Sequence, residues 1–310
     1  MTQQTTRHVR RHRHHRGVGF YLSLVVMTLL CALILLPIIF TFLYSFFPKG
    51  EITSFLNQRN NYDSSVWMDV PLSPAVFSLR QYYKILIEEP SYLQLFCNSV
   101  MYTAAILVGQ GLVIPLTAYA LSRFEFRGKN FLTVLIMMLM VLPFQVTMAP
   151  SVITLRTIGL MDTPWAVILP MVFSPFYIFL LRQFMVGLPN GLLEAGMIDG
   201  AGPVRGFVHV ILPVCKPILG AAAALSFADC WNMVEQPLVY QANNTAMQPL
   251  SVMFNQISTE GADIAFAGSA LYILPTMLIY LYFQEDILQC VQLSELKKVE
   301  KAAAVAFADA

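Results

Sequence analysis

The sequence is constrained most by several apolar runs of about 20 residues or more that carry few charged side chains. A helix of roughly 20 apolar residues spans about 30 Å of hydrocarbon, and the first run, 17–47, contains no Asp, Glu, Lys or Arg. The whole chain is 57% hydrophobic and only 12% charged, whereas an ordinary soluble domain is about 25% charged. We therefore predict an all-α integral membrane protein with several spanning helices.

Six transmembrane helices are predicted, at about 17–47, 95–121, 131–155, 164–186, 217–240 and 264–290. The first run exceeds the apolar region of a signal peptide, about 7 to 15 residues, and lacks a small-residue cleavage site, so we expect it to remain as a helix. This gives a basic tail at 1–17, a six-helix domain at 18–290 with a polar loop at 48–93, and a charged tail at 291–310.

The positions of the basic residues predict the orientation, because Lys and Arg concentrate on the cytoplasmic side of membrane proteins. If the N-terminus lies inside, only Lys49, Arg59, Arg80, Lys84 and Arg156 fall outside, and the other 14 of the 19 basic residues fall inside. Both termini are then cytoplasmic. The loop 48–93 is then external, and the loop 188–216 faces the cytoplasm.

The loop between the fourth and fifth helices contains EAGMIDGAGPVRGFVHVILP, 194–213. Glu194 would lie in the first turn of a short helix, where a carboxylate favours the positive end of the helix dipole. Gly200 can end that helix in the left-handed conformation, and Pro203 suits the first turn of another. Four apolar residues of this second helix share one face: Val204, Phe207, Val208 and Ile211. The segment is either a simple interfacial connector or a docking element for a cytoplasmic partner.

The same residues resemble a known signature. The pattern E-A-A, three residues, G, nine residues, I, one residue, L-P is typical of the membrane subunits of ABC importers that depend on a binding protein. The matching positions are Glu194, Ala195, Gly196, Gly200, Val210, Leu212 and Pro213, with Asp199 directly before the glycine. Gly196 replaces the usual second alanine and Val210 replaces isoleucine.

The likeness extends beyond this loop. FLLRQFMVGLPNGLLEAGMIDGAGP (179–203), GLMDTPWAVILP (159–170) and the pair Trp231-Asn232 are similar to the carbohydrate branch of that family, which includes the second permease of maltose-type importers. The region 284–298, QEDILQCVQLSELKK, departs from the ending usual in this branch. The tail's usual contact with the ATPase therefore does not follow from the resemblance.

The resemblance implies the fold of a type I ABC importer transmembrane domain in a bacterial inner membrane. It implies that 190–213 is a coupling helix in a cleft of a separate ATPase, with Glu194 as the main polar contact. The position of Asp199 directly before Gly200 predicts that Asp199 closes the first helix. The partners would be a homologous permease, an ATPase dimer, an extracytoplasmic solute-binding protein and membrane lipid. Since the chain has no GxxxxGK[ST] pattern, we expect it to bind no cofactor, and ATP and Mg to be bound by the partner ATPase.

Placing a polar residue inside a membrane span costs free energy, and such residues are commonly functional. We predict that Asp229, Asn232, Asn98 and Gln145 line the pathway, with Asp229 and Asn232 nearest to it. The alternative for each residue is a hydrogen bond to a neighbouring helix without any contact with the solute. The sequence leaves this choice open.

Other functional classes are less well supported. An ion-coupled secondary transporter predicts internal repeats with paired broken helices, and no repeat is evident. An intramembrane metalloprotease would need a metal site, but the chain lacks HExxH, and four of its five histidines lie in the N-terminal tail. We expect no metal site, and the net charge of +1 gives no indication of a nucleic-acid partner. The sequence thus predicts a permease subunit that imports a sugar or related solute.

Overall fold

The computed structural model describes residues 18–60, 71–189, 191–198, 200, 202–256 and 261–308, and this part of the chain is helical without strands. The predicted basic tail, 1–17, lies outside the described residues. The helices are α1 (Val18–Tyr44), α2 (Lys49–Asn60), α3 (Arg80–Tyr83), α4 (Pro90–Arg123), α5 (Lys129–Val141), α6 (Phe144–Thr157), α7 (Pro164–Val172), α8 (Pro175–Val186), α9 (Gly191–Ile198), α10 (Pro203–Gly206), α11 (Leu212–Val214), α12 (Lys216–Trp231), α13 (Glu235–Tyr240), α14 (Leu250–Gln256) and α15 (Ala262–Ala308). Turns of π-helix occupy Lys84–Glu88 and Phe207–Ile211, and a 3-10 turn occupies Thr245–Met247.

Four of the described spans are long and apolar enough to cross a membrane alone: Gly19–Tyr44, Pro90–Arg123, Pro164–Val186 and Ala262–Cys290. Two more arise if each bent pair of helices is one span. The chain bends by 108° between Lys129–Val141 and Phe144–Thr157. It bends by 74° between Pro203–Val214 and Lys216–Trp231. The predicted third helix, 131–155, is therefore broken rather than continuous. The predicted fifth helix, 217–240, is also broken, at 232–234 between α12 and α13, and the 74° bend lies just before it, at Cys215.

Prolines account for two of the breaks between helices, because the residue before a proline is disfavoured in the helical region. Leu142, before Pro143, has φ −69° and ψ 126° and separates α5 from α6. Ser174 is also extended, before Pro175, and it interrupts the predicted fourth helix between α7 and α8. The local sequence thus sets where these helices stop.

The predicted loop 48–93 and the predicted tail 291–310 contain more helix than expected. The region 48–93 includes α2 and α3, and the last helix continues past residue 290 to Ala308. Residues 276–308 contain no glycine or proline and are rich in Leu, Glu, Lys and Ala, which favour helix. The membrane span and the following tail residues therefore form one 47-residue helix.

The turn before α7 is held by the carboxylate of Asp162. This residue has a positive φ of 60°, which is uncommon for a residue other than glycine. Its Oδ1 accepts a hydrogen bond from the backbone N of Asn243 at 3.0 Å, and its Oδ2 accepts one from Nδ2 of Asn243 at 2.9 Å. The backbone N of Asp162 donates to the carbonyl of Tyr240 at 2.9 Å. The turn is thereby tied to the segment that follows α13.

Candidate coupling segment and polar cleft

The segment 191–214 folds as two short helical units joined at a glycine turn, as predicted. Helix α9 carries Glu194 in its first turn, and Gly200 has φ 78°, the left-handed conformation for which glycine was expected. Pro203 begins the second unit after Gly202, whose backbone is extended. The second unit runs through α10, the π turn Phe207–Ile211 and α11 to Val214.

Only two of the four residues on the predicted apolar face of the second unit are buried. Phe207 and Ile211 are buried in a cluster with residues of α4 and α8, including Ala118, Ile178 and Leu181. Val204, by contrast, is 76% exposed and Val208 is 45% exposed. The π turn between these residues changes their angular spacing from that of a regular α-helix. The buried pair therefore fastens the segment to the membrane domain.

The end of α4 holds both sides of this segment. Nη2 of Arg123 donates to the carbonyl oxygens of Met185 at 2.7 Å and Leu188 at 3.0 Å, just before α9. The hydroxyl of Tyr119 donates to the carbonyl of Pro203 at 3.3 Å. The Tyr119 ring also lies 4.8 Å from the ring of Phe207, centroid to centroid. Neither α4 residue was predicted to hold this segment, although Tyr119 and Arg123 are four residues apart near the end of a predicted span.

The other side of the segment is open. Glu194 is exposed, and no hydrogen bond or ion pair joins its carboxylate to another residue in the described part of the chain. Ile198, at the end of α9, is 86% exposed, and Leu192 is also exposed. Among its described side chains, α9 thus exposes the acidic Glu194 and the apolar Leu192 and Ile198.

The remaining residues of the signature are distributed over both units. Gly196, Val210 and Leu212 are half-buried, whereas Pro213 is exposed. Ala195 lies within α9, and Asp199 lies outside the described residues. The role predicted for Asp199 at the Gly200 turn stays a prediction.

A polar cleft of about 580 Å³ lies at the junction between α12 and α13. It is lined by the end of α12, the start of α13, the start of α6 and part of α7: Phe144, Met171, Ala228, Asp229, Asn232, Met233, Val234, Glu235 and Gln236. Two of these are carboxylates, and none of the described lining residues is Lys, Arg or His. A cleft of this kind offers hydrogen-bond acceptors to a polar solute and carries negative charge.

Three of the predicted pathway residues meet at this cleft. Asp229 Oδ2 accepts a hydrogen bond from the hydroxyl of Tyr177 at 2.6 Å. Gln145 Nε2 lies 3.1 and 3.2 Å from the two carboxylate oxygens of Glu235. Asn232, which also lines the cleft, donates from Nδ2 to the carbonyl of Ala228 at 2.9 Å. The hydrogen bonds from Tyr177 and Gln145 fix the orientation of both carboxylates.

Asn98 lies elsewhere. Its Nδ2 donates to the carbonyl oxygens of Ala246 at 2.9 Å and Gln248 at 3.1 Å. These bonds hold the polar stretch that follows α13 against α4. In the described part of the chain, no group of three or more His, Cys, Asp or Glu side chains is placed to hold a metal ion.

Comparison with known proteins places these features in a family. The sequence model of the binding-protein-dependent transport system inner membrane component matches residues 111–287. The chain is 31% identical to the arabinooligosaccharides transport system permease protein AraQ of Halalkalibacterium halodurans, over 80% of this chain and 86% of that protein. It is 32% identical to the sn-glycerol-3-phosphate transport system permease protein UgpE of Yersinia pestis bv. Antiqua, over 60% of this chain and 68% of that protein.

A solved structure supports the same fold. The chain superimposes on a chain of a bacterial ABC transporter involved in the import of the acidic polysaccharide alginate, with a TM-score of 0.73 and 21% identity. The match covers 88% of this chain and 97% of that chain. The fold is that of a type I ABC importer permease, as predicted, and a secondary transporter finds no support. The chain belongs to the family of inner-membrane components of binding-protein-dependent transport systems.

Proposed function

We propose that this permease subunit forms half of the translocation pathway of a saccharide importer. Its partners are a homologous permease, a dimer of ATPase subunits and an extracytoplasmic solute-binding protein. ATP and Mg bind to the ATPase, and both termini of this chain lie in the cytoplasm. The observation that carries the proposal is the coupling segment 191–214, whose base is buried in the membrane domain while Glu194 and Ile198 face outward.

The coupling segment suits transmission of force because its contacts with the membrane domain are extensive and specific. Phe207 and Ile211 are buried in the membrane domain, and Tyr119 and Arg123 add hydrogen bonds to the backbone on both sides. Closure of the ATPase dimer on ATP would displace α9, and the attached helices would move with it. Such a rigid-body change switches the pathway between inward-open and outward-open states, because ATP favours one of the two arrangements.

We further propose that the solute is a neutral saccharide. The carboxylates of Asp229 and Glu235 can accept hydrogen bonds from sugar hydroxyls, and charge-assisted bonds of this kind are stronger than neutral ones. A phosphate or uronate group would instead meet two negative charges without a described basic partner in the cleft. Of the two relatives, the one named for arabinooligosaccharides fits this charge, and the one named for sn-glycerol 3-phosphate does not.

The test is reconstitution of the full-length chain, purified together with its associated subunits, into proteoliposomes that contain ATP. Uptake of radiolabelled arabino-oligosaccharides and of sn-glycerol 3-phosphate is measured with the binding protein present. We expect ATP-dependent uptake of the neutral solute, and Asp229→Asn should reduce it. Uptake of glycerol phosphate alone would refute the charge assignment, whereas uptake driven by an ion gradient without ATP would refute the function as a whole.

A further inference from the structure

Helix α4 makes ordered polar contacts at both of its ends. At its C-terminal end, Tyr119 and Arg123 are four residues apart and therefore share one face of the helix. That face contacts Met185 and Leu188 before α9, and Pro203 after it. Because one helix face holds both sides of the coupling segment, the segment cannot move as a unit without either moving the end of α4 or breaking these bonds.

The N-terminal half of α4 holds the segment 241–250 that follows α13. Gln94 Nε2 donates to the carbonyl of Ala246 at 3.1 Å, which Asn98 also binds. The hydroxyl of Tyr102 donates to the carbonyl of Met247 at 3.0 Å. Gln94, Asn98 and Tyr102 are spaced at i, i+4 and i+8, so they form one stripe along the helix.

A further contact extends this stripe toward α14. Ser99 Oγ accepts a hydrogen bond from the backbone N of Leu250 at 2.9 Å. Ser99 and Leu250 are both buried, so water does not compete readily for this bond. The segment 241–250 is consequently attached to α4 by side chains of four different residues. It also begins only a few residues after Glu235 and Gln236 of the polar cleft.

Between these two sets of contacts, α4 is a single helix that includes the buried Pro115. It has 34 residues, which corresponds to about 50 Å at 1.5 Å per residue. Its middle is also tied to the bundle, since Gln110 Nε2 donates to the carbonyl of Met171 at 2.8 Å. Met171 lines the polar cleft.

We propose that α4 is the rod that transmits displacement of the coupling segment to the segment 241–250 and the adjoining cleft. Tyr119 and Arg123 are its positioning residues at one end, and Asn98 and Tyr102 are those at the other. The inference rests on the proposed function, because the displacement originates in the partner ATPase. It assigns Asn98 to transmission rather than to contact with the solute.

The test uses the complete transport complex in proteoliposomes, with Arg123→Lys compared with Arg127→Lys. Lysine keeps the charge but lacks the planar guanidinium group, whose terminal Nη2 donates to both carbonyl oxygens. Arg127 is exposed in the linker after α4, so it is a matched control. We expect Arg123→Lys to lower the number of solute molecules imported per ATP hydrolysed by about tenfold, which is within the usual range of coupling between two sites. The control should match the wild-type protein.

Hydrogen exchange provides the second measurement. In the wild-type complex, amide protection in residues 241–250 should differ between the nucleotide-free and the ATP-bound state. In Arg123→Lys, and equally in Asn98→Leu at the other end, this nucleotide-dependent difference should be lost. A purely structural role for these residues would change protection in both states alike.

The outcomes separate the two proposals. If the wild-type complex shows no ATP-dependent import, the proposed function is wrong. If the wild-type complex imports solute but Arg123→Lys retains both the transport ratio and the exchange difference, the rod is wrong. If Arg123→Lys fails to assemble, Tyr119→Phe is measured instead, because it removes only the hydroxyl hydrogen bond; wild-type behaviour of that variant and of Asn98→Leu would equally refute the rod.

Discussion

Replacing Gly109 with alanine should expose how tightly α4 packs against α7. A Cβ atom at this position would lie 2.5 Å from Cγ2 and 3.1 Å from Cγ1 of Val172. Favourable contacts between carbon atoms lie at about 3.5 to 4.0 Å, so the two helices would have to separate by about 1 Å locally. Val172 is β-branched and has little rotational freedom with which to avoid the clash.

Two opposing effects set the change in the free energy of unfolding for Gly109→Ala. Overpacking of this kind costs about 1 to 3 kcal/mol, while replacing glycine by alanine inside a helix gains about 1 kcal/mol. Gly111→Ala is the matched control, because it lies in the same helix and a Cβ there meets no atom within 4 Å. The control receives the same gain without the clash. Gly109→Ala should therefore be less stable than Gly111→Ala by about 1 to 3 kcal/mol.

The assay is thermal unfolding of the purified complex in detergent, with the folded fraction measured by size-exclusion chromatography. Val172→Ala supplies an internal test because it removes both γ-carbons and leaves only Val172 Cβ, at 3.4 Å, near the new atom. On that background, Gly109→Ala should no longer destabilise, which a double-mutant cycle would report as coupling between the two positions. Equal melting of Gly109→Ala and Gly111→Ala would show that the α4 and α7 contact is not close.

Two further substitutions test the coupling segment and the Asp162 turn. Glu194→Lys reverses the exposed charge of α9 without disturbing a described partner. We therefore expect less ATPase to copurify, with unchanged thermal stability of the permease. Retained ATPase with full solute-stimulated ATP hydrolysis would contradict the docking role. Asp162→Ala removes both bonds to Asn243 and keeps the strained φ of 60°, so it should destabilise by about 1 to 3 kcal/mol. Asp162→Asn, which tolerates the left-handed conformation better, should cost less, and the reverse order of these two melting temperatures would refute the reasoning.

The sequence predicted the helices well where the signal was local. Apolar length located four spans, and the glycine and proline positions around 200–203 predicted the two-part coupling segment correctly. Apolar length did not reveal the 108° bend between α5 and α6, because a bend leaves the composition of a run unchanged, although Pro143 marks its position. The extension of α15 to Ala308 was also missed, since charged residues were interpreted as the end of a helix rather than of a membrane span.

The candidate site divides in the same way. The sequence by itself determined the class of protein, the exposed acidic start of α9 and the glycine turn at Gly200, because length, charge and backbone freedom are properties of short stretches. Only the tertiary structure brought Gln145 to Glu235 across 90 residues of sequence. It also left only part of the apolar face of the second unit buried. It placed Tyr119 and Arg123 of α4 where they contact the backbone before α9 and after it. Those contacts depend on which helices pack together, and helix packing depends on side-chain shape at distant positions, which no local pattern encodes.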